Sequence, residues 1–441
     1  MGFFGKERII AAPGTSRWRV AFSALAIHLS IGQAYAFSVF NLPLSRAIGV
    51  QTSAPDDWKL TDLGWIFTVA IASLGVSAAL FGQWLEKNGP RASGMVAAAC
   101  FGSGLLVAAL GVELHLLPLL ILGYGVLGGV GLGIGYITPV STLIKWFPDR
   151  RGMATGIAIM GFGGGAIIAA PLSSALMKAF ATPTSVGVSQ TFVVLGVAYF
   201  LIMSTGALSF RLPPPDFAPK NASPESRQER PWMATRDAVR TRSFWLLWGV
   251  LCLNVTAGIG VLGQASAMIQ EVTKVDADDA ARFVSVLSLS NMIGRFFWAS
   301  LSDRIGRRRT YAIFFSLGPA LYLAVPLVGA TGSVPLFVLC FCAILTMYGG
   351  GFATIPAYLS DLFGTRFVSA IHGRLLTAWS VAGVMGPVLV NYLRQYQIER
   401  GVPKASAYNI TMDVMAVLLV LGFVLNYRVK PPELPPVASS L

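Results

Sequence analysis

Charged residues are scarce in this chain. Only 12% of its 441 residues are Asp, Glu, Lys or Arg, whereas a soluble domain carries about 25%. Cysteine and histidine are also rare, at four and three residues, and the cysteines show neither metal-ligand spacing nor a disulfide pattern. The short polar segments contain no catalytic triad and no nucleotide-binding loop. We therefore expect small buried thiols, no metal, no cofactor and no enzyme.

Long apolar stretches are what the chain has instead. Hydrophobic residues make up 54% of the sequence, and twelve stretches are long enough to cross a bilayer as helices. These predicted spans, numbered 1 to 12 in chain order, are 18–42, 61–84, 92–112, 116–145, 152–178, 190–211, 243–268, 282–302, 309–330, 334–360, 366–393 and 409–427. The sequence therefore predicts an all-α membrane protein with twelve transmembrane helices.

A Pro-rich, charged segment from Arg211 to Ser243 separates the spans into six plus six. Such a segment cannot cross lipid, so it is a loop. We predict an N-terminal six-helix half at 1–211, a cytoplasmic central loop at 212–242 and a C-terminal six-helix half at 243–441.

The two halves carry features at nearly the same offset. Gly89 and Gly306 lie 217 residues apart, as do Pro139 and Pro356, while Pro171 and Pro387 lie 216 apart. A shared offset over three features indicates an internal repeat, and parallel repeats of six spans are typical of one large transporter architecture.

The basic residues, 33 against 20 acidic ones, are distributed unevenly across the membrane. With the N-terminus inside, 23 of the 33 fall on the inner side and eight on the outer side. Because basic residues concentrate in cytoplasmic loops, both termini are predicted to be cytoplasmic. The positive charge then faces anionic lipid, and nucleic acid is not expected as a partner. The absence of a visible signal peptide and the short loops favour a multi-pass protein of a bacterial inner membrane.

Two inner loops have related sequences, GQWLEKNGPRA after span 2 and ASLSDRIGRRR after span 8. Both resemble the loop signature of the major facilitator superfamily, in which a glycine turn joins two helices and an acidic residue pairs with basic groups or caps a helix. The resemblance implies the major facilitator fold and a conformational latch for alternating access. The candidate latch residues are Glu86, Gly89, Arg91, Asp303, Arg304, Gly306 and Arg307.

One arginine lies inside an otherwise apolar span. Arg295 precedes Asp303 by eight residues, about 12 Å of helix, which puts it near the middle of a hydrocarbon core about 30 Å thick. A guanidinium at that depth costs at least about 2.5 kcal/mol unless it faces a polar cavity or a counter-charge. No Asp or Glu occurs in the interior of any predicted span, so the sequence favours a substrate carboxylate as the partner of Arg295. At the repeat offset Arg295 lies opposite Ala78, which argues against a purely architectural role.

Three further stretches narrow the resemblance to one family. They are GQAYAFSVF in span 1, KWFPDRRGMATG between spans 4 and 5, and NMIGRFFW in span 8. Together they are similar to the oxalate/formate antiporter family, which is related to the monocarboxylate transporters. The resemblance implies transport of small mono- or dicarboxylates through a cavity between the halves, with Arg295 binding the substrate and Tyr35 lining the cavity.

One departure from the family concerns charge. Oxalate-selective members have a lysine in span 11, and Trp379 stands at that position here. Arg374 is not an obvious substitute, because it lies five residues earlier, about 7.5 Å along the helix. A dianion benefits from two cations whereas a monoanion needs one, so we expect a monocarboxylate such as formate, lactate or pyruvate. Trp379 would form an apolar wall for its hydrocarbon end.

Aromatic and polar residues near mid-depth complete the candidate site. Tyr348 and Phe352 are four residues apart in span 10, and with Tyr136 of span 4 they would form an aromatic cage around a small anion, although core packing explains each alone. Asn291, one turn before Arg295, would bind substrate or orient the arginine.

His28 shares a helical face of span 1 with Tyr35 and is the only histidine well inside a span. Two interpretations remain open for it: a hydrogen-bonded packing residue, or a site that carries a proton during transport.

The sequence thus predicts a secondary transporter of small organic anions that exchanges one anion for another by alternating access. Proton-coupled symport with His28 as carrier is the alternative. Efflux of hydrophobic or cationic compounds would require a mid-depth carboxylate, and a membrane carboxylate sensor would require an output domain, so both are disfavoured. The expected partners are the anion and the bilayer, and one chain holds a complete pathway, which favours a monomer.

Overall fold

The computed structural model describes residues 6–214, 217 and 232–433, and helices dominate this part of the chain. Its long helices are Arg17–Ile31, Leu60–Asn88, Pro90–Glu113, Gly129–Trp146, Arg151–Phe180, Val188–Ser209, Arg242–Thr273, Ala277–Ile305, Arg307–Ala330, Val334–Phe363, Thr377–Glu399 and Asn409–Arg428. Shorter helices are Lys6–Ile9, Asn41–Leu44, Leu117–Leu120, Thr235–Ala238, Val368–Leu375 and Lys404–Ser406. Within the described residues there is no β-strand, only two isolated bridges. The predicted all-α fold class is confirmed.

Eleven helices of the described chain are long and apolar enough to cross a membrane, judged by length and composition. They coincide with predicted spans 1–7 and 9–12. The helix at predicted span 8, Ala277–Ile305, has 29 residues but is not among the eleven. Asn291, Arg295 and several serines make it more polar than its neighbours.

By packing, the chain divides into two compact units. Unit 1 consists of Met1–Asp149, Gly161–Glu229 and Phe367–Ser380, and unit 2 of Arg150–Met160, Arg230–Arg366 and Val381–Leu441. Unit 1 thus combines most of the predicted N-terminal half with the beginning of span 11. Unit 2 combines most of the predicted C-terminal half with the beginning of span 5. The two exchanged segments begin 217 residues apart, at the repeat offset. The predicted boundaries at 212–242 stay a prediction, since 215–216 and 218–231 lie outside the described residues.

Glycine turns join the helices at both loops that resemble the superfamily signature. Gly89 ends span 2 with φ 85° and Gly306 ends span 8 with φ 89°, a region that glycine enters without steric cost. Pro90 then opens span 3, where a missing N–H leaves no hydrogen bond unmade.

Three spans depart from a regular α-helix. Span 1 is α-helical to Ile31 and continues as a 3-10 helix over Gly32–Phe40, and span 4 contains a π-helix at Ile121–Gly128. A Cβ on Gly32 would lie 2.5 Å from the carbonyl oxygen of Phe162, so span 1 changes its pitch where it meets the span 5 backbone. Span 11 is interrupted at Leu376.

The loop between spans 1 and 2 is tied together by Asp57. Its carboxylate accepts backbone N–H groups from Ile48 at 2.7 Å, Ala54 at 2.7 Å and Gly49 at 3.1 Å. Partial burial raises the pKa of this carboxyl, but the three N–H donors outweigh burial and hold the pKa below its usual value.

The four cysteines are free thiols, and only Cys252 is buried. The expectation of burial is wrong for Cys100, Cys340 and Cys342, which are partly exposed. The surface of a membrane span meets lipid, which is as apolar as a core, so a small apolar thiol is tolerated there.

Candidate functional site

Arg295 is fully buried in unit 2. Its Nε donates to Oδ1 of Asn291 at 3.3 Å, and its Nη1 donates to the carbonyl oxygen of Ile159 in span 5 at 3.4 Å. The guanidinium carbon also lies 5.2 Å from the centre of the Phe352 ring. These three groups are neutral, so they orient the guanidinium but contribute no negative charge.

Spans 8 and 10 approach closely at this point because glycines face them. A Cβ on Gly349 would lie 2.3 Å from the carbonyl oxygen of Asn291 and 3.1 Å from Cγ of Arg295. A Cβ on Gly294 would lie 2.2 Å from the carbonyl oxygen of Thr346. The stem of Arg295 is therefore held against the backbone of span 10, which limits the positions that its guanidinium can take.

Tyr348 and Phe352 follow one another along the same face of span 10. Their rings are edge-to-face with centroids 5.4 Å apart, and both side chains are buried. Phe352 thus lies near both the Tyr348 ring and the Arg295 cation. The structure brings four of the predicted substrate-binding residues together in unit 2: Asn291, Arg295, Tyr348 and Phe352.

A second group of predicted site residues lies in unit 1, in a cluster of four aromatic rings. The ring centroids are separated by 5.0 Å for Tyr35 and Phe162, 5.4 Å for Tyr136 and Phe162, 5.4 Å for Tyr136 and Trp379, and 5.5 Å for Phe162 and Trp379. The sequence analysis missed Phe162. Its signal is the run GFGGG in span 5, in which Phe162 is the only large side chain.

Two buried histidines flank Tyr136 in this cluster. The His28 ring lies 5.3 Å from the Tyr136 ring, and the His372 ring lies 5.9 Å from it. His372, in the first segment of span 11, is the second residue that the sequence analysis missed as a site candidate. Its position, seven residues before Trp379 and on the same side of a predicted helix, was the available signal.

Asp303 caps the beginning of span 5 in unit 2. Its two carboxylate oxygens accept the backbone N–H groups of Gly152 and Met153, each at 2.8 Å. These amides belong to the first turn of the helix, where N–H groups have no intrahelical acceptor and the helix dipole favours a negative charge. Arg307 donates to the same carboxylate at 2.6 Å.

Glu86 makes the corresponding contact in unit 1. One of its oxygens accepts both the backbone N–H of Ser369, at 3.1 Å, and the Ser369 hydroxyl, at the beginning of span 11. Lys145 donates to the other oxygen at 2.8 Å. Glu86 and Asp303 lie 217 residues apart, and so do Gly152 and Ser369, so the internal repeat extends to this hydrogen bond.

The remaining predicted latch residues take different positions. Arg307 also donates to Asp361 at 3.1 Å, and Asp361 accepts from Arg151 at 3.2 Å, which extends the network of Asp303. Arg91 is buried at the beginning of span 3, whereas Arg304 is exposed. Gly89 and Gly306 form the turns described above.

A set of helices long enough to span a membrane, a buried arginine and matched acid-to-helix contacts in both units are typical of secondary membrane transporters. The chain belongs to the Major Facilitator Superfamily, whose sequence profile matches residues 21–387.

Two relatives and one solved structure illustrate the similarity. The chain is 27% identical to the oxalate:formate antiporter of Oxalobacter formigenes over 375 residues, which is 84% of this chain and 83% of the relative. It is 27% identical to monocarboxylate transporter 11 of Homo sapiens over 393 residues, covering 86% and 77%. The fold matches the E. coli fucose:proton symporter FucP with a TM-score of 0.67 at 13% identity, over 94% of this chain and 100% of that one. The predicted kinship with the antiporter and the monocarboxylate transporters is confirmed.

Proposed function

We propose that the protein exchanges small monocarboxylates across the membrane by alternating access. The observation that carries this proposal is the fully buried guanidinium of Arg295 in predicted span 8, which donates to Asn291 and to the carbonyl oxygen of Ile159. A bidentate carboxylate is the ligand that best matches a planar guanidinium in charge and shape. Similarity to an oxalate:formate antiporter and to a monocarboxylate transporter supports a carboxylate substrate.

The aromatic cluster of unit 1 supports a monoanion with an apolar end. Trp379 is fully buried among Tyr35, Tyr136 and Phe162, so the position that is a lysine in oxalate-selective relatives presents hydrocarbon here. We propose that this cluster lines part of the transport route and presents an apolar surface to the substrate. Pyruvate and lactate fit this requirement better than oxalate, which has a second charge in place of a methyl group.

The contacts of Asp303 and Glu86 are proposed to act as the conformational latch. A negative charge at a helix N-terminus contributes about 0.3–1 kcal/mol, and up to about 2 kcal/mol where it is partly buried. Interactions of this size hold spans 5 and 11 in one arrangement, yet they are weak enough to break in every transport cycle. The candidate latch residues stay those named above, with Arg151 and Asp361 added from the geometry.

Exchange follows from the energetics of the buried cation. A substrate carboxylate makes a charge-assisted contact with the buried Arg295, and the return of the empty transporter lacks this contact. The empty transporter is therefore expected to return slowly, which couples the outward movement of one anion to the inward movement of another.

Proton symport is the second candidate, because two buried histidines flank Tyr136. An unperturbed imidazole changes charge near neutral pH, so His28 would supply the proton site that such a mechanism needs. We also propose cytoplasmic termini in a bacterial inner membrane, on the bias of Lys and Arg, and action as a monomer, because twelve predicted spans lie in one chain.

Uptake into proteoliposomes tests the proposal. Radiolabelled formate, lactate, pyruvate and oxalate would each be offered to vesicles that contain either unlabelled anion or buffer, with and without a pH gradient. Monocarboxylate uptake that requires internal anion supports exchange. Uptake driven by the pH gradient in vesicles without internal anion would replace exchange by symport, and failure to transport any of the four anions would refute the carboxylate proposal.

A further inference from the structure

Five exposed cations lie at one end of spans 7, 9 and 12, all in unit 2. This basic strip consists of Arg242, Arg308, Arg309, Arg428 and Lys430. Hydrogen bonds fix its parts against one another. The Ser243 hydroxyl donates to the carbonyl oxygen of Lys430 at 2.6 Å, Asn426 Nδ2 donates to the carbonyl oxygen of Arg308 at 3.0 Å, and Arg308 donates to the carbonyl oxygen of Tyr427.

The five cations of the strip are exposed and, within the part of the chain that the structure describes, make no ion pair with a carboxylate, whereas several buried or half-buried cations of the chain do. Arg17, Lys145 and Arg307 each pair with a carboxylate, at 2.6, 2.8 and 2.6 Å. Among the ion pairs of the described residues, none involves a cation of the strip. Three exposed acidic residues at this end of unit 2, Asp237, Asp361 and Glu433, form no ion pair with it either, since Asp361 pairs with Arg151 and Arg307. The positive charge of the strip is therefore directed at the membrane surface.

An exposed apolar face leads from the strip into the membrane. Val417, Val420, Val424 and Tyr427 of span 12 are all exposed, and their spacing of three, four and three residues places them on one side of the helix. Ten residues separate Val417 from Tyr427, about 15 Å of helix, which is half of a hydrocarbon core about 30 Å thick. The face therefore spans one leaflet of the bilayer.

Tyr427 joins the two surfaces. The guanidinium carbon of Arg308 lies 5.0 Å from the centre of its exposed ring, so the cation is held at the boundary between the apolar face and the polar surface. Tyrosine is favoured at this depth because its ring is apolar and its hydroxyl is polar.

We propose that the basic strip and the face below it bind an anionic phospholipid of the adjacent leaflet, with cardiolipin as the best match. The phosphates would contact the strip, and the acyl chains would lie along Val417, Val420 and Val424. A ligand that has both a multiply charged anionic head and chains one leaflet long satisfies both surfaces, whereas free phosphate uses only the strip. A head group with two phosphates matches a strip of five cations better than a head group with a single phosphate does.

Lipid binding to the purified full chain tests this inference. Native mass spectrometry would measure retention of tetraoleoyl cardiolipin and dioleoyl phosphatidylcholine by the wild type, by the variant R308Q/R428Q/K430Q and by the matched control K274Q/R400Q/K404Q. The control removes three cations from the opposite end of unit 2, including Arg400, which lies 4.3 Å from the centre of the Tyr396 ring much as Arg308 lies over Tyr427.

Each strip cation removed is expected to weaken cardiolipin binding about fivefold, or on the order of 100-fold for all three. The control is expected to bind as the wild type does, and phosphatidylcholine is expected to bind weakly to all three proteins. If the triple variant does not remain monodisperse, the single variant Lys430→Gln is used, with an expected loss of about fivefold. Wild-type cardiolipin affinity in a folded strip variant, an equal loss in the control, or equally strong binding of phosphatidylcholine would each overturn the proposal.

Discussion

Replacement of Asp303 by asparagine is expected to loosen the beginning of span 5. The carboxylate accepts the backbone N–H groups of Gly152 and Met153, and these amides have no acceptor inside their own helix. An asparagine of the same shape keeps one oxygen but presents an NH₂ group in place of the other. One of the two amides therefore loses its acceptor, and the negative charge at the helix N-terminus disappears.

The magnitude follows from these two losses. A hydrogen bond to a charged group contributes about 1.5–3 kcal/mol, and the interaction with the helix dipole is included in that range for so close a contact. A change of this size shifts the local opening equilibrium by between about tenfold and 150-fold. Both amides are affected, because the remaining oxygen is no longer charged.

Hydrogen–deuterium exchange of a peptide that covers residues 151–156 measures this shift in the purified protein. Exchange in Asp303→Asn is expected to be faster by that factor, while Asp413→Asn, which neutralises an exposed acid near the start of span 12, is expected to leave the peptide unchanged. Equal exchange in Asp303→Asn and the wild type would refute the assignment of Asp303 as the acceptor that closes this helix end.

Three further predictions concern specificity, packing and pH. Trp379→Lys adds a cation for the second carboxylate of oxalate, so oxalate is expected to inhibit the uptake of labelled pyruvate at least about tenfold more strongly. Trp379→Phe serves as control, and an unchanged inhibition constant in Trp379→Lys would contradict the argument. Gly349→Ala is expected to lower the stability measured in thermal unfolding by about 1–3 kcal/mol. Gly64→Ala, with nothing within 4 Å of the added Cβ, is expected to leave stability nearly unchanged, and equal stability of the two variants would oppose the packing argument. The folded loop lowers the pKa of Asp57, so the ionised Asp57 carboxylate stabilises the loop above the unfolded pKa of about 3.9. This stabilisation is lost as pH falls through the lower folded pKa. Protection of the Ile48 amide against hydrogen exchange should therefore fall only below about pH 4. In Asp57→Asn this protection should already be absent at pH 7.

The features that the sequence predicted are those that depend on local pattern or on the internal repeat. Helix positions followed from apolar stretches of membrane length, and the glycine turns at Gly89 and Gly306 followed from the loop motifs. The contact between Asn291 and Arg295 was also accessible, because residues four apart share one face of a helix.

Other features depend on contacts between distant segments or on the backbone itself. The Ile159 carbonyl that accepts from Arg295 lies 136 residues away in sequence and belongs to a main-chain group that every residue carries, so no sequence pattern marks it. The 3-10 segment of span 1 depends on how closely span 5 approaches Gly32. Phe162 and His372 acquire their significance only where spans 5 and 11 meet Tyr136.

Transport by Arg295→Gln tests the central claim most directly. Uptake of radiolabelled pyruvate would be measured in proteoliposomes preloaded with unlabelled pyruvate, at matched protein insertion. Arg282→Gln serves as control, because Arg282 is an exposed cation near the beginning of the same helix. Loss of the charge-assisted carboxylate contact is expected to lower uptake by Arg295→Gln on the order of 100-fold or more and to leave the control near wild type. Uptake by Arg295→Gln at the wild-type rate would contradict the account.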